Sequence, residues 1–284
     1  MDLRSPRARQ RYDDLVAGAG QGVVCLDFDG VLAPIVDDPA RAHIHPEAPD
    51  VLVALTAQFR AVAVVTGRPA RQAVSLGHLD EVGARAKDHG RDLLVLGQYG
   101  HERWSASTDR VVAPRPPRGL ASLAAELPEL LRREGLEDAH LEQKSLAVAV
   151  HTRRLPDPQG ALERLAPVLQ RAAAAHGLTL EPGRMVLEAR APGMNKGNAV
   201  RTLQKEHHAD AMVFVGDDLG DVEAFEAIAA LRRGGMVGLL VCSGSEEQRA
   251  LVDLADVVVD GPDGVMQFLR QLATDAGDHA DPPS

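Results

Sequence analysis

The chain has 284 residues, with 31 lysines and arginines against 41 aspartates and glutamates, for a formal net charge of −10. That length suits one large α/β domain or two small ones, and 45% hydrophobic with 25% charged residues excludes wholesale disorder and coiled coil. The acidic balance and an aromatic content of only 3% argue against a nucleic-acid backbone or a base-stacking platform as partner.

In chain order, the first 20 residues hold Arg4, Arg7, Arg9 and Arg11 but no apolar segment, so no secretory leader is read there. Five short apolar runs follow at 23–26, 62–65, 212–215, 236–241 and 255–259, each bounded by Gly, Asp or Pro. They lack polar/apolar alternation, which predicts strands buried on both faces of a parallel sheet. Helical patterns separate them at about 48–59, 69–76, 195–206, 221–232 and 265–273. This succession predicts a doubly wound α/β sheet. No run approaches the roughly 20 residues of a membrane-spanning helix. Cys25 and Cys242 both lie inside apolar runs, which reads as two buried, reduced thiols in a cytoplasmic protein.

The middle of the chain changes character. A Pro- and Arg-rich joint at 115–118 precedes a helical stretch at 120–133, an alternating run at 141–150, a second helical stretch at 159–176, and two short strands flanking Pro182 and Gly183. Alternation implies a sheet with one open face. A small α+β insert is therefore expected at 114–191, between core segments 1–113 and 192–284, with Arg115 and Arg118 on its hinge surface. Residues 275–284, polar and ending in Pro and Ser, are expected to fray.

Four element boundaries concentrate the reactive side chains. Leu26-Asp27-Phe28-Asp29-Gly30 directly follows the first predicted strand. Sites in α/β sheets form at such strand ends, and Gly30 lets the chain turn so that both carboxylates approach one point. The same residues also suit a simple Asp-Gly turn. Val215-Gly216-Asp217-Asp218-Leu219-Gly220-Asp221 repeats the arrangement with more acid than a helix cap requires. Carboxylates sharing one pocket repel by about 4 kcal/mol per close pair at an effective dielectric near 20. A hard divalent cation removes that penalty, and carboxylate oxygens with retained waters suit Mg²⁺. Thr66-Gly67-Arg68, before Pro69, reads either as an anion site built on a helix N-terminus or as a plain N-cap. Lys196, opening a helical pattern, either reaches a phosphate oxygen or is a solvated charge. Two other patterns carry less. Gly18 to Gly22 precedes a strand, the reverse of a dinucleotide loop, and His43, His45, His207 and His208 lack companions at zinc spacing.

In this order, the four segments resemble the motifs of the haloacid-dehalogenase superfamily of phosphohydrolases, over nearly the whole chain outside its tails. The resemblance implies that Asp27 is the nucleophile on phosphorus, Asp29 the general acid/base, and Thr66 and Lys196 the holders of phosphoryl oxygens. It also implies Mg²⁺ bound by Asp27, the Asp29 backbone carbonyl and Asp217, with Asp218 and Asp221 in or beside that shell.

Within the superfamily, Leu32-Ala33-Pro34-Ile35, the segment Gly97 to Trp104, Glu142-Gln143-Lys144, His151-Thr152-Arg153 and the segment Gly183 to Arg190 are similar to those of trehalose-6-phosphate phosphatases. That similarity implies Thr66, Gly67, Arg68, Glu102, Glu142, Lys144, Arg153, Arg184 and Glu188 as substrate-binding residues, with Glu142 and Lys144 reaching sugar hydroxyls. It leaves open whether Arg68, Arg115, Arg118 or Arg190 itself contacts ligand. Glu142 and Lys144 are expected on one strand face of an insert that closes as a lid. The implied partner is a small sugar phosphate, with no nucleic acid and no membrane, for a protein that is a monomer or weak dimer. Val31 stands where this family commonly has Thr, and Gly220 and Val222 where it often has Thr and Glu. The expected function is Mg²⁺-dependent hydrolysis of trehalose 6-phosphate. The alternatives are hydrolysis of another sugar phosphate, such as sucrose or mannosylglycerate phosphate, or a catalytically silent sugar-phosphate-binding module.

Overall fold

The structure is a computed structural model that describes residues 2–36, 38–87, 90–183, 185–244 and 249–280. The chain divides into two compact units, Met1–Ala113 with Asn195–Ser284, and Pro114–Met194. The second runs slightly beyond residue 191, where the sequence placed the end of the insert.

In chain order the strands are β1 (Asp2–Leu3), β2 (Gly22–Leu26), β3 (Ala61–Val65), β4 (Leu93–Gly97), β5 (Glu102–Ser105), β6 (Arg110–Val112), β7 (His140–Gln143), β8 (Ala147–His151), β9 (Thr179–Gly183), β10 (Val186–Arg190), β11 (Ala211–Gly216), β12 (Val237–Gly244) and β13 (Val257–Asp260). The helices are α1 (Pro6–Ala17), α2 (Ala48–Gln58), α3 (Ala70–Gly77), α4 (Leu79–Lys87), α5 (Arg118–Arg133), α6 (Pro158–Ala175), α7 (Lys196–His207), α8 (Val222–Arg233), α9 (Arg249–Leu254) and α10 (Gly261–Ala280).

The larger unit is built on a nine-stranded sheet in the order β1-β13-β12-β11-β2-β3-β4-β5-β6. Its six central strands, β13 to β4, are parallel. β1 extends one edge and the β5–β6 hairpin the other, both antiparallel. Numbered along the chain, the parallel strands run 3-2-1-4-5-6, so the winding reverses between β2 and β11. Ligand crevices of doubly wound sheets open at the carboxyl ends of that strand pair.

The apolar runs do not alternate because both sheet faces are covered. Val24, Leu26, Val213 and Val215 pack into one core with residues of α1, α2 and α10. Their neighbours Val23, Cys25, Met212 and Phe214 pack into a second core with α7 and α8. Val31 is fully buried in the first core. The smaller unit is an antiparallel sheet, β7-β8-β10-β9. Val148, Val150, Leu187 and Ala189 meet Leu123, Leu127, Leu165 and Leu169 of α5 and α6 in its core. Glu142, Ala149, Glu188 and Glu181 form one register row of side chains on the other face.

Three differences from the sequence reading have physical causes. The reading omits β4, although Leu93-Leu94-Val95-Leu96 is apolar and fully enclosed. The alternating run 141–150 is not one strand. It breaks into the β7–β8 hairpin, and Lys144 lies past the end of β7 with its N–H donated to the Ala147 carbonyl at 2.9 Å. Residues 275–280 are helical rather than frayed, because Ala276 is buried and Tyr12 Oη donates to Asp275 Oδ2 at 2.6 Å. Among the described residues, no helix is long and apolar enough to cross a membrane.

Candidate active site

The reactive residues gather at the winding reversal. The Asp27 N–H donates to the Val215 carbonyl at 2.9 Å, so the chain leaving β2 is still tied to β11 where the two carboxylate-bearing loops begin. After Phe28, the Gly30 N–H donates to the Ala33 carbonyl at 2.7 Å and closes a tight turn. Gly30 has φ of +70°, and a Cβ there would collide with the Asp217 carboxylate. Glycine is needed twice over, for the left-handed backbone and for the approach of the second acidic loop. Ser243, at the end of β12, donates its hydroxyl to the Gly30 carbonyl at 2.6 Å.

Asp27, Asp217, Asp218 and Asp221 each offer a carboxylate oxygen within 4.8 Å of the others, and all but Asp218 are buried. Lys196, the first residue of α7, is buried among them, 2.8 Å from Asp27 Oδ2 and 2.7 Å from Asp221 Oδ1. One ammonium cannot balance four acids. Burial, reinforced by the neighbouring carboxylates and opposed by Lys196, lifts the Asp27 carboxyl well above its ordinary range. Burial also lifts Asp217, to about 8, with Asp221 adding to it. Burial alone would depress Lys196, but the carboxylates of Asp221 and Asp27 outweigh it and hold the ammonium charged. Such an excess of buried oxygen donors fits a hard divalent cation.

The four acids are not equivalent donors. Asp221 has one oxygen on Lys196 and the other on the N–H groups of Asp217 (2.9 Å) and Asp218 (3.3 Å), which makes it the organiser of its loop. Asp218 accepts the Gly220 N–H at 2.8 Å, so Gly220 serves through its backbone. The Asp29 side chain stands outside the acidic cluster, held by the Arg68 guanidinium.

Thr66 is buried at the end of β3, and its Oγ1 accepts the Arg68 N–H at 3.1 Å instead of capping a helix. At the α3 N-terminus, which one of the two readings of this segment makes part of an anion site, the Ala70 N–H donates to Glu102 Oε2 at 2.7 Å. Glu102, which the resemblance puts among the substrate-binding residues, is buried and ties β5 to α3. The segment Gly97 to Trp104, singled out for its family likeness, holds a tight turn between β4 and β5 whose geometry no sequence pattern encodes. Gln98, Tyr99 and Gly100 all have positive φ, the Gln98 N–H donates to the Arg68 carbonyl, and the Tyr99 N–H donates to the Thr66 carbonyl, both at 2.9 Å. A Cβ on Gly67 would meet the Tyr99 ring at 2.9 Å, and one on Gly100 would meet Ala199 Cβ of α7 at 2.7 Å. Gln98 is fully buried with neither amide atom hydrogen-bonded. Two successive non-glycine residues at positive φ, Gln98 and Tyr99, mark this turn as a strained brace.

In the smaller unit, the open sheet face is a charge network. Glu142 Oε2 is 2.8 Å from His151 Nε2, and that hydrogen bond holds its carboxyl below the usual range. Lys144 pairs with Glu188, and Arg190 lies 3.6 Å from both Glu181 and Glu188. Arg153 is exposed, and Arg184 lies outside the described residues.

Residues 25–257 match the family model described as trehalose-phosphatase. Trehalose-phosphate phosphatase B of Arabidopsis thaliana is 30% identical over 281 residues, covering 95% of this chain and 71% of the plant protein. A Mycobacterium tuberculosis protein described as an uncharacterized glycosyl hydrolase is 33% identical over 290 residues and covers 98% of this chain, which spans only 20% of that protein's length. Among solved structures, the C-terminal domain of C. albicans trehalose-6-phosphate phosphatase aligns with a TM-score of 0.75 at 20% identity, over 96% of this chain and 97% of that one. A haloacid dehalogenase-like hydrolase from Bacteroides thetaiotaomicron aligns with a TM-score of 0.60 at 13% identity, over 88% and 99%, which places the doubly wound core in the haloacid-dehalogenase-like fold. Since the family match runs from the strand that presents Asp27 to the strand at the far side of the sheet, the chain belongs to the trehalose-phosphatase family.

Proposed function

We propose that this chain hydrolyses trehalose 6-phosphate to trehalose and phosphate through a phosphoryl intermediate on Asp27. One observation carries the reading: Asp27, Lys196 and the three acids of the second loop converge at the winding reversal of a family whose model this chain matches. A carboxylate with its ammonium partner at 2.8 Å is an oriented nucleophile. As an Asp27 oxygen bonds to phosphorus, the bond from phosphorus to the sugar oxygen breaks, and Asp29 gives that oxygen its proton. In the second half-reaction Asp29 takes a proton from water, the water oxygen bonds to phosphorus, and Asp27 is released. Lys196 and the Thr66 hydroxyl hold the equatorial oxygens. Asp27, Asp217 and Asp218 would hold a divalent cation, Mg²⁺ in this reading, which when bound cancels repulsion between the nucleophile and the phosphate dianion. In this reading Glu142, Lys144 and Glu188 of the smaller unit are the candidates for recognising the sugar, as the family resemblance implies. Buried unpaired Cys25 and Cys242 support a reducing, cytoplasmic setting. The glycosyl hydrolase description belongs to a protein about five times as long, of which this chain covers 20%.

Phosphate release is measured from trehalose 6-phosphate, sucrose 6-phosphate, glucose 6-phosphate and p-nitrophenyl phosphate with Mg²⁺. A strong preference for trehalose 6-phosphate is expected, equal rates on glucose 6-phosphate reject that substrate, and no release from any ester favours the silent module. The near-isosteric Asp27→Asn is expected to lower turnover at least about 10³-fold with an unchanged fold.

A further inference from the structure

We propose that Arg68 is a switchable counterion, which holds the Asp29 carboxylate until a phosphoryl group arrives and then transfers its guanidinium to that group, freeing Asp29 for proton transfer. The proposal rests on the phosphatase reading and adds an order of events to it.

The pairing has the geometry of a fork. Arg68 Nε donates to Asp29 Oδ2 and Nη2 donates to Oδ1, both at 2.7 Å. Both carboxylate oxygens are thus engaged by one guanidinium, and among the described residues nothing else is hydrogen-bonded to them. A general acid must instead present one oxygen to the leaving sugar. The pair as it stands is a resting arrangement that has to open before the chemistry assigned to Asp29 can occur.

The arginine is built to stay while its partner changes. Its side chain is 10% exposed against 40% for Asp29, Nη1 donates to the Pro39 carbonyl at 2.8 Å, and Cζ lies 5.4 Å from the Phe28 ring centroid. Its backbone N–H is bonded to Thr66 Oγ1 at 3.1 Å, so the same residue is anchored to the loop assigned to the phosphoryl oxygens. A guanidinium fork matches carboxylate and phosphate oxygens equally well. A phosphate dianion arriving at Asp27, two residues from Asp29, brings roughly twice the charge of the carboxylate it displaces.

Competition of two anions for one cation is tested by a double-mutant cycle. Inorganic phosphate is titrated by calorimetry, in Mg²⁺-containing buffer, into the wild type, Arg68→Gln, Asp29→Asn and the double variant. The switch predicts that Arg68→Gln weakens phosphate binding by about tenfold or more, the loss of charge-assisted hydrogen bonds. It predicts that Asp29→Asn tightens binding several-fold, and that this gain vanishes in the Arg68→Gln background. Equal tightening in both backgrounds would mean simple repulsion by Asp29 and overturns the switch. Unchanged affinity in Arg68→Gln would mean that Arg68 never leaves Asp29, and overturns it too. Arg68→Lys, which keeps the charge but not the fork, is expected to bind with intermediate affinity and serves if the glutamine variant does not fold. Wild-type turnover is assayed in parallel. An intact cycle in a protein that hydrolyses no ester faults the phosphatase reading, whereas a broken cycle in an active enzyme faults the switch alone.

Discussion

Gly30 shows how one residue limits the whole site. Its left-handed φ was legible as turn chemistry in Asp29-Gly30, but its contact with Asp217, from a strand far along the chain, was not. Replacing it with alanine adds backbone strain of about 1–3 kcal/mol and drives a methyl group into the Asp217 carboxylate. Gly30→Ala is therefore expected to lower the melting temperature and to weaken Mg²⁺ binding at least about tenfold, read by thermal melts and calorimetry. Asp27 was legible by its place at a strand end and Lys196 by its place at a helix start. Their mutual distance was not, because it depends on how β2, β11 and α7 pack. Ser243 escaped for the same reason, since a serine at the end of an apolar run says nothing of the carbonyl it will meet.

At the scale of elements, the turn between β4 and β5 braces the Thr66–Arg68 loop. Gln98 and Tyr99 at positive φ and an unbonded buried amide are costly locally, and with Gly100 they hold the Thr66–Arg68 loop against the start of α7. Glu102 completes this brace by accepting the Ala70 N–H. Glu102→Ala leaves that buried donor unpaired and is expected to cost about 1–3 kcal/mol in chemical denaturation. Glu102→Gln keeps an acceptor oxygen and should recover most of the stability. If the glutamine variant instead loses turnover of trehalose 6-phosphate while keeping that of p-nitrophenyl phosphate, Glu102 binds substrate as the family resemblance implied. On the smaller unit, Glu142→Ala should depress turnover of trehalose 6-phosphate several-fold more than that of p-nitrophenyl phosphate. Equal losses would remove Glu142 from sugar recognition. The reading of 141–150 as one strand failed because a hairpin whose turn keeps the apolar/polar rhythm looks continuous to a period-two pattern.

For the molecule as a whole, the buried acids link metal, pH and stability. Asp217 has its folded-state carboxyl lifted to about 8, far above its value in an unfolded chain, so the folded state binds this proton more tightly. The stability it contributes is fully present below the unfolded value near 4 and is lost as pH rises through about 8. In EDTA, the melting temperature is therefore expected to fall between pH 5 and about 8, and Mg²⁺ should restore it most at the upper end of that range. A melting temperature that is flat with pH in EDTA and unmoved by Mg²⁺ would show that the acids are balanced without a cation. The doubly wound core was legible because strands covered on both faces must be apolar throughout, and strand–helix succession admits few windings. By itself the sequence determined which strand ends carry acids and a hydroxyl and which helix opens on a lysine, since those depend on neighbours along the chain. Only the tertiary structure decided that β2 and β11 lie side by side, that Arg68 grips Asp29, and that Glu102 faces a helix N-terminus. These contacts join residues remote in sequence, and burial and sheet order, which no local pattern encodes, bring them together.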